Sequence, residues 1–361
     1  MKDRIVCIDG WRAIAALGVL YTHSWAAMDF PKGILFGIDV FKLLNLLGQG
    51  VHLFFVISGF CFFWVMNKST QFTLPSAFSF WKKRWLRIAP AFYVASLFLL
   101  ILNFQRLRVD FPLNYILNVL FIQTYYKGAE ISGIYWSLSV EWIFYLVLPF
   151  IFYLTKFYSE LKLFCALLIS CCLFNLLHYS HVLVPNSKIW YYSFLANYGH
   201  FAWGLLLGYA HQKQLIRHIH YPKLYLLLGL LIAFVGKWLF TAPIIQSAGS
   251  YAFILASFAP FLMTFGFASM IYVSLNAEGI GRAIGNPLFS WLGRISYSFY
   301  LWHAVVLDFV ILIGRNYWKS TPSHLVYVFL ITLLFLLPLS KLNYHLLESF
   351  YFNSVKKRKK H

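Results

Sequence analysis

The sequence predicts an all-α, polytopic membrane protein with about ten transmembrane helices and both termini cytoplasmic. Three observations predict it. Hydrophobic residues make up 61% of the 361 and charged residues only 11%, the balance of a chain whose surface meets lipid rather than water. Apolar runs of span length recur from end to end, and "LLLGLLIAFVGKWLF" and "LVYVFLITLLFLLPL" are apolar on nearly every face, where a soluble helix shows one stripe. The net charge of +19 comes from basic residues gathered in short loops between these runs. They form no aromatic-interleaved surface, which argues against nucleic acid as a partner and makes them orientation signals.

Taken in order, the first run follows "MKDR" and imitates a signal peptide. Asp9 and Arg12 interrupt that pattern and no small-x-small cleavage site follows, so the run reads as the first span. About 20 apolar residues per crossing places spans at roughly 13–29, 49–66, 90–104, 136–155, 162–178, 191–209, 224–240, 250–274, 295–313 and 324–342. The stretch "LNYILNVLFIQ" (113–123) has about half that length and reads as an interfacial or re-entrant helix. An even number of spans puts both ends on one side, and "KKRKK" at the C-terminus with "MKDR" at the start makes that side cytoplasmic. "KKRWLR" (82–87), Lys156, Lys162, "HQKQLIRHIHYPK" (211–223), Arg282 and Arg294 fall on the same side. No internal repeat is present, and residues 1–361 read as a single transmembrane domain without an attached soluble domain. Cys7, Cys61, Cys165, Cys171 and Cys172 lie in or beside apolar segments without metal-ligand spacing or a disulfide framework.

Within this apolar frame a few polar residues stand out. Arg12 and His23 are eleven residues apart, which returns them to one helix face about 16 Å apart along the axis. With Arg12 at the cytoplasmic boundary, His23 lies near the middle of a core about 30 Å thick. Arg12 also has an ordinary reading as a snorkelling anchor, whereas an ionisable group at the midplane points to function. "YWSLSVEWIFY" (135–145) puts Glu141 about 7 Å inside a span entered from the outer side, with Ser137 one turn earlier on the same face. "GRISYSFYLWH" (293–303) puts His303 about 13 Å in from the cytoplasmic side, with Tyr300 one turn before it. In "SFWKKRWLRIAPAF" (79–92), read as a cytoplasmic loop entering a span through Pro90, Arg84 and Arg87 would lie one turn apart if helical, a pair suited to phosphate. "GQGVHLFFVISGF" (48–60) adds glycines that permit close approach, and His52 near the outer boundary has structural and functional readings alike. The loop histidines His211, His218 and His220 lack ligand spacing and give no metal site.

In this order "RAIAALGVLYTH", "FFVISGF", "KKRWLRIAPAFY", "WSLSVEWIFYLVLP" and "GRISYSFYLWH" closely resemble the acyltransferase 3 family of bacterial integral membrane acyltransferases. The resemblance runs from residue 9 to about 303, and the last span with Glu348 extends it. It implies transfer of an acyl group, most often acetyl from cytoplasmic acetyl-CoA, to a hydroxyl of a cell-envelope glycan such as lipopolysaccharide O-antigen, capsule or exopolysaccharide, in the cytoplasmic membrane. Carried onto matching positions, the key basic residue and histidine are Arg12 and His23, the arginine motif is Arg84 and Arg87, and the serine and glutamate motif is Ser137 and Glu141. His52 stands where many relatives have an acidic residue, and "LLESFYF" lacks the basic residue and proline that often follow the C-terminal glutamate. The resemblance therefore assigns no role to His52 or Glu348.

The expected division of labour has Arg12, Arg84 and Arg87 holding the phosphates of acetyl-CoA at a basic mouth, with Tyr300 and His303 completing the donor site. His23 acts as general base on the acceptor hydroxyl or as acyl carrier, Glu141 orients the imidazole or the acceptor, and Ser137 assists by hydrogen bonding. The acceptor is a glycan or a lipid-linked glycan within membrane lipid, no metal takes part, and oligomeric state stays open. A transporter or flippase for a glycan or small acid would also place ionisable groups at the midplane, but would usually show paired half-chains with matching Gly or Pro breaks.

Overall fold

The computed structural model describes residues 4–66, 74–102, 111–126, 129–180, 188–216, 218–240 and 251–349. The C-terminal "KKRKK", most of the initial "MKDR" and the end of the expected span 90–104 lie outside them. The fold is an all-α bundle with one two-stranded hairpin among the described residues. In chain order, α1 is Val6–Ala27, α2 Val40–Leu44, α3 Gly50–Met66, α4 Leu74–Leu102 and α5 Phe111–Val119. These are followed by α6 Trp136–Leu154, α7 Glu160–Tyr179, α8 Lys188–Tyr191, α9 Phe194–Gln212 and α10 Pro222–Leu239. Last come α11 Ala252–Asn276, α12 Glu278–Ile284, α13 Pro287–Arg294, α14 Ser296–Ile313 and α15 Pro322–Asn343, continued by a π-helical turn at Tyr344–Glu348.

Helix starts follow local chemistry. Asn286 accepts a hydrogen bond from the Phe289 N–H at 3.0 Å ahead of Pro287, and Thr321 accepts one from the His324 N–H at 3.4 Å ahead of Pro322. Each pairs a side-chain cap with a proline whose missing N–H costs nothing in the first turn. The hairpin pairs Ile34–Leu35 with Ile38–Asp39. Its two-residue turn, Phe36 and Gly37, has φ of 50° and 76°, the left-handed geometry a right-twisted hairpin needs.

Eight helical segments among the described residues are long and apolar enough to cross a membrane. Two of the ten expected spans, 13–29 and 191–209, are helices that fall outside this set, α1 and α9. They have the length, 22 and 19 residues, but carry Asp9, Arg12 and His23, and Asn197, His200 and His211. They are also the helices around which others pack: α1 against α3, α13 and α14, and α9 against α3, α7 and α11. Polar groups in the bundle interior escape lipid, which is where a membrane protein can hold them. α10 is peripheral, with 17% of its apolar window buried, against 67% for α11 and α14.

The expectation of a loop at 79–92 entering a span through Pro90 is corrected. α4 runs unbroken from Leu74 to Leu102 with Pro90 inside it. A proline removes one backbone hydrogen bond, but packed neighbours keep such a helix together in a membrane. Here Tyr297 of α14 donates its hydroxyl proton to the carbonyl of Ile88 at 2.7 Å, within the turn that Pro90 weakens.

Candidate active site

α1 and α14 run side by side, and their rise sets the geometry. Arg12 to His23 advances about 16 Å, and Ser296 to His303 about 10 Å. The C-terminal part of α1 meets the middle of α14, where the rings of His23 and His303 lie 5.2 Å apart, tilted by 41°. Below that contact is a cavity of about 50 Å³, lined by Arg12, Phe54, Phe55, Ser58, Arg87, Ser137, Glu141, Tyr145, Ser296, Tyr297 and Tyr300 among others. That is room for roughly three to five waters. Five expected site residues therefore share one cavity, and the other two of the central set sit directly beyond it.

Arg12 brings a cation whose Nε is buried without a hydrogen-bond partner. A buried, unanswered guanidinium donor on a cavity wall suits an anionic ligand. Arg87 lines the same cavity from α4 and lies in the field of Glu141 and Glu348. Arg84, one turn earlier, does not line it. Its guanidinium sits 4.6 Å from the Phe62 ring centre and 5.1 Å from that of Phe80, an aromatic enclosure that uses the cation for packing. The expected arginine pair is thus divided between cavity and scaffold.

A chain of hydrogen bonds links the cavity to the histidines. The Tyr300 hydroxyl donates to the carbonyl of Ile134, so the Ser137 hydroxyl, 2.7 Å away, must donate to Tyr300. The carbonyl of Tyr300 lies 2.5 Å from Nδ1 of His303. A carbonyl only accepts, so Nδ1 carries the proton, leaving Nε2 an acceptor. That Nε2 is buried with no partner, on a ring facing His23. Ser137 fixes Tyr300, Tyr300 fixes His303, and His303 faces His23.

The structure also places three more of the expected residues. Glu141 accepts hydrogen bonds from Ser58 at 3.3 Å and from Tyr145, which holds its carboxylate in the arginine-lined cavity. Ser137 has its proton committed to Tyr300, so it braces the site. His303, expected in the donor site, is the residue in contact with His23.

Ser58, Tyr145 and Tyr297 line the cavity without having been expected there. Tyr145 carried a signal, since it follows Glu141 by four residues and shares its face. A second polar centre lies across an aromatic partition. His52 and His200 are 5% and 1% exposed, with ring centres 4.6 Å apart at 82°, and Nδ1 of His200 lies 3.1 Å from the Thr264 hydroxyl. Phe55 and Trp136, 5.9 Å apart, both contact His52.

An acyltransferase domain profile, that of acyltransferase 3, matches residues 5–341. The chain belongs to this family. It is similar to Nodulation protein 10 of Rhizobium leguminosarum bv. viciae, 33% identical over 39% of this chain and 42% of that protein. It is similar to the peptidoglycan O-acetyltransferase OatA of Listeria monocytogenes serovar 1/2a, 23% identical over 85% of this chain and 50% of that protein. A putative O-acetyltransferase of Staphylococcus aureus strain COL is 25% identical over 95% of this chain and 56% of its own length. The chain spans about half the length of these curated relatives. No solved structure matches it.

Proposed function

We propose that the chain is an O-acetyltransferase of the bacterial cytoplasmic membrane, moving acetyl from cytoplasmic acetyl-CoA to a hydroxyl of a cell-envelope glycan or its lipid-linked precursor. The observation that carries this reading is a narrow cavity with two arginines on its wall, whose Tyr300 packs against His303, one of two facing imidazoles just beyond it. The donor's phosphates meet Arg12 and Arg87, and its uncharged arm brings the thioester past Glu141 and Ser58 toward Tyr300. His23 removes the proton of the acceptor hydroxyl, the oxygen attacks the thioester carbonyl carbon, the carbon–sulfur bond breaks, and the thiolate leaves with the proton. His303, with its Nε2 lone pair free, orients His23 and receives its N–H as the imidazolium forms. The acceptor reaches His23 from the side opposite the arginines.

The cavity's size favours a small acyl group. Label from acetyl-CoA is expected in envelope glycan of membranes holding the protein, and octanoyl-CoA is expected to react at least about tenfold more slowly, since extra methylenes crowd a packed site. Equal rates would reject this cavity as the acyl site. Label in no glycan, with the protein inserted and no CoA released, would favour a carrier over an enzyme.

The two arginines separate in kinetics. Arg87→Ala is expected to raise KM for acetyl-CoA about tenfold or more, the worth of a charge-assisted hydrogen bond, with kcat within a few-fold of wild type. Arg84→Ala is expected to leave KM near wild type and to cost about 1 kcal/mol of stability by loss of its aromatic contacts. Donor saturation curves and thermal unfolding of both variants check this, and a KM effect at Arg84 equal to that at Arg87 would restore the arginine pair as one phosphate site.

A further inference from the structure

A cleft of about 500 Å³ lies away from the arginine-lined cavity and shares no residue with it, bounded by α9, α10, α11 and the loop from α9 to α10. Its volume is in the range of small-molecule sites, about 300–1,000 Å³. The interior is apolar, with Trp203, Leu206, Leu228, Ile232 and Phe265 on its walls, while His218 and Tyr225 stand at the loop end. The cleft is built into the fold. The Tyr272 hydroxyl of α11 accepts from the N–H of Ile216 at 3.0 Å and donates to its carbonyl at 3.2 Å, pinning the loop over one end.

The cleft also explains how α10 is held. Gly229, Ala233 and Gly236 of α10 press backbone to backbone on Met263 and Gly266 of α11, whereas its face toward α9 opens on the cleft. At the mouth, Leu215 and Ile216 are 60% and 56% exposed and Tyr221 and Tyr225 are exposed beside them, a mixture suited to the headgroup level of a bilayer. Lys213, His218 and His220 are exposed on the same loop, and Lys223 is exposed in the first turn of α10. No acidic residue occurs anywhere from Leu161 to Ala277, so Lys213 and Lys223 have no carboxylate from their own segment to answer them.

We infer that this cleft binds an anionic phospholipid, with an acyl chain between α9, α10 and α11 and the phosphate headgroup against Lys213, His218 and Lys223. A zwitterionic lipid fills the apolar part equally well but brings no net charge to the lysines. A soluble phosphate meets the lysines but leaves the cleft unfilled. Juxtamembrane lysines each add appreciably to anionic-lipid affinity, and two of them set a preference on the order of tenfold. The lipid acts as the missing packing partner between α9 and α10, independently of acyl transfer.

The test uses the full chain purified in detergent and titrated with phosphatidylglycerol, with phosphatidylcholine of the same acyl chains, and with glycerol phosphate. Retained lipid is read by native mass spectrometry and stability by thermal unfolding. Phosphatidylglycerol is expected to bind about tenfold more tightly than phosphatidylcholine and to raise Tm, and glycerol phosphate to do neither. Lys213→Gln with Lys223→Gln is expected to equalise the two lipids. Ser269→Trp, which fills the cleft, is expected to reduce both, while Lys162→Glu, on α7, changes neither. Equal affinity for the two lipids in the wild type, or a preference that survives the double substitution, would mean ordinary annular lipid and overturn the site. Glycerol phosphate matching phosphatidylglycerol would overturn it in favour of a plain anion site. All these readouts are of binding, so they stand or fall separately from the transferase reading.

Discussion

His23→Ala is expected to lower acetyl transfer by about 10²–10⁴-fold, the usual worth of a general base, in protein that inserts and unfolds much as wild type does. A sugar hydroxyl is a poor nucleophile at neutral pH, and among the described residues the one other imidazole in contact with that of His23 belongs to His303. That residue is held in place from two sides. Its Nδ1 proton is spent on the Tyr300 carbonyl and its ring abuts His23, so it cannot move out to take over the proton. His23→Gln keeps a polar side chain of similar reach but no base, and is expected to be as inactive as His23→Ala. His303→Ala leaves the base and loses its orientation, so a smaller fall of about tenfold is expected, in kcat more than in either KM. Initial rates with labelled acetyl-CoA in membranes, normalised to inserted protein, check all three. Activity of His23→Gln within tenfold of wild type would end the proposal that His23 carries the proton.

What the sequence made legible follows from the cost of polarity in lipid. Runs of about 20 apolar residues mark spans because an unsatisfied backbone cannot cross hydrocarbon. Arg12, His23, Glu141 and His303 stand out because ionisable groups inside such runs are rare. The same rule would have marked His200 in "NYGHFAWG", which was not expected in any site and whose partner His52 sits on another helix far earlier in the chain. Lateral pairing is what a single sequence withholds. Depth along an axis is a matter of counting residues, but the contact of His23 with His303 depends on which helices are neighbours, which no periodicity records. For the same reason Glu141 could be placed at its level, while its hydrogen bond with Ser58 of α3 could not be read. Pro90 misleads in another way, because a rule drawn from water, that proline ends helices, weakens where neighbouring helices supply the missing bonds. The family resemblance covered the motifs and left Ser58, Tyr145 and Tyr297 to be found from the packing.

Gly204→Val is expected to cost at least about 3 kcal/mol and to remove most folded protein from detergent extracts. α3 and α9 cross here at backbone contact. A Cβ on Gly204 would sit 2.1 Å from the carbonyl oxygen of Val56 and 2.8 Å from the Cα of Gly59, and a Cβ on Gly59 would sit 2.2 Å from the carbonyl oxygen of Phe201. Backbone atoms cannot swing aside as a side-chain tip can, so the helices must separate. Within a membrane their association rests on close packing, because lipid tails compete equally for apolar surface. Overpacking a close contact typically costs 1–3 kcal/mol, and here it also separates Phe55 from Phe201, whose rings stack 4.6 Å apart. The same displacement shifts Phe54, Phe55 and Ser58, all on the cavity wall, so the protein that survives extraction is expected to lose activity as well. Gly204→Ala should show a milder form of both effects, since its Cβ alone already clashes. Gly133, where an added Cβ meets nothing within 4 Å, is the matched control, and Gly133→Val is expected to extract and unfold like wild type. Size-exclusion profiles and thermal unfolding of the three variants decide the matter. Wild-type behaviour of Gly204→Val would mean that α3 and α9 do not cross at these glycines, and the wall that α3 gives the cavity would then have to be placed differently.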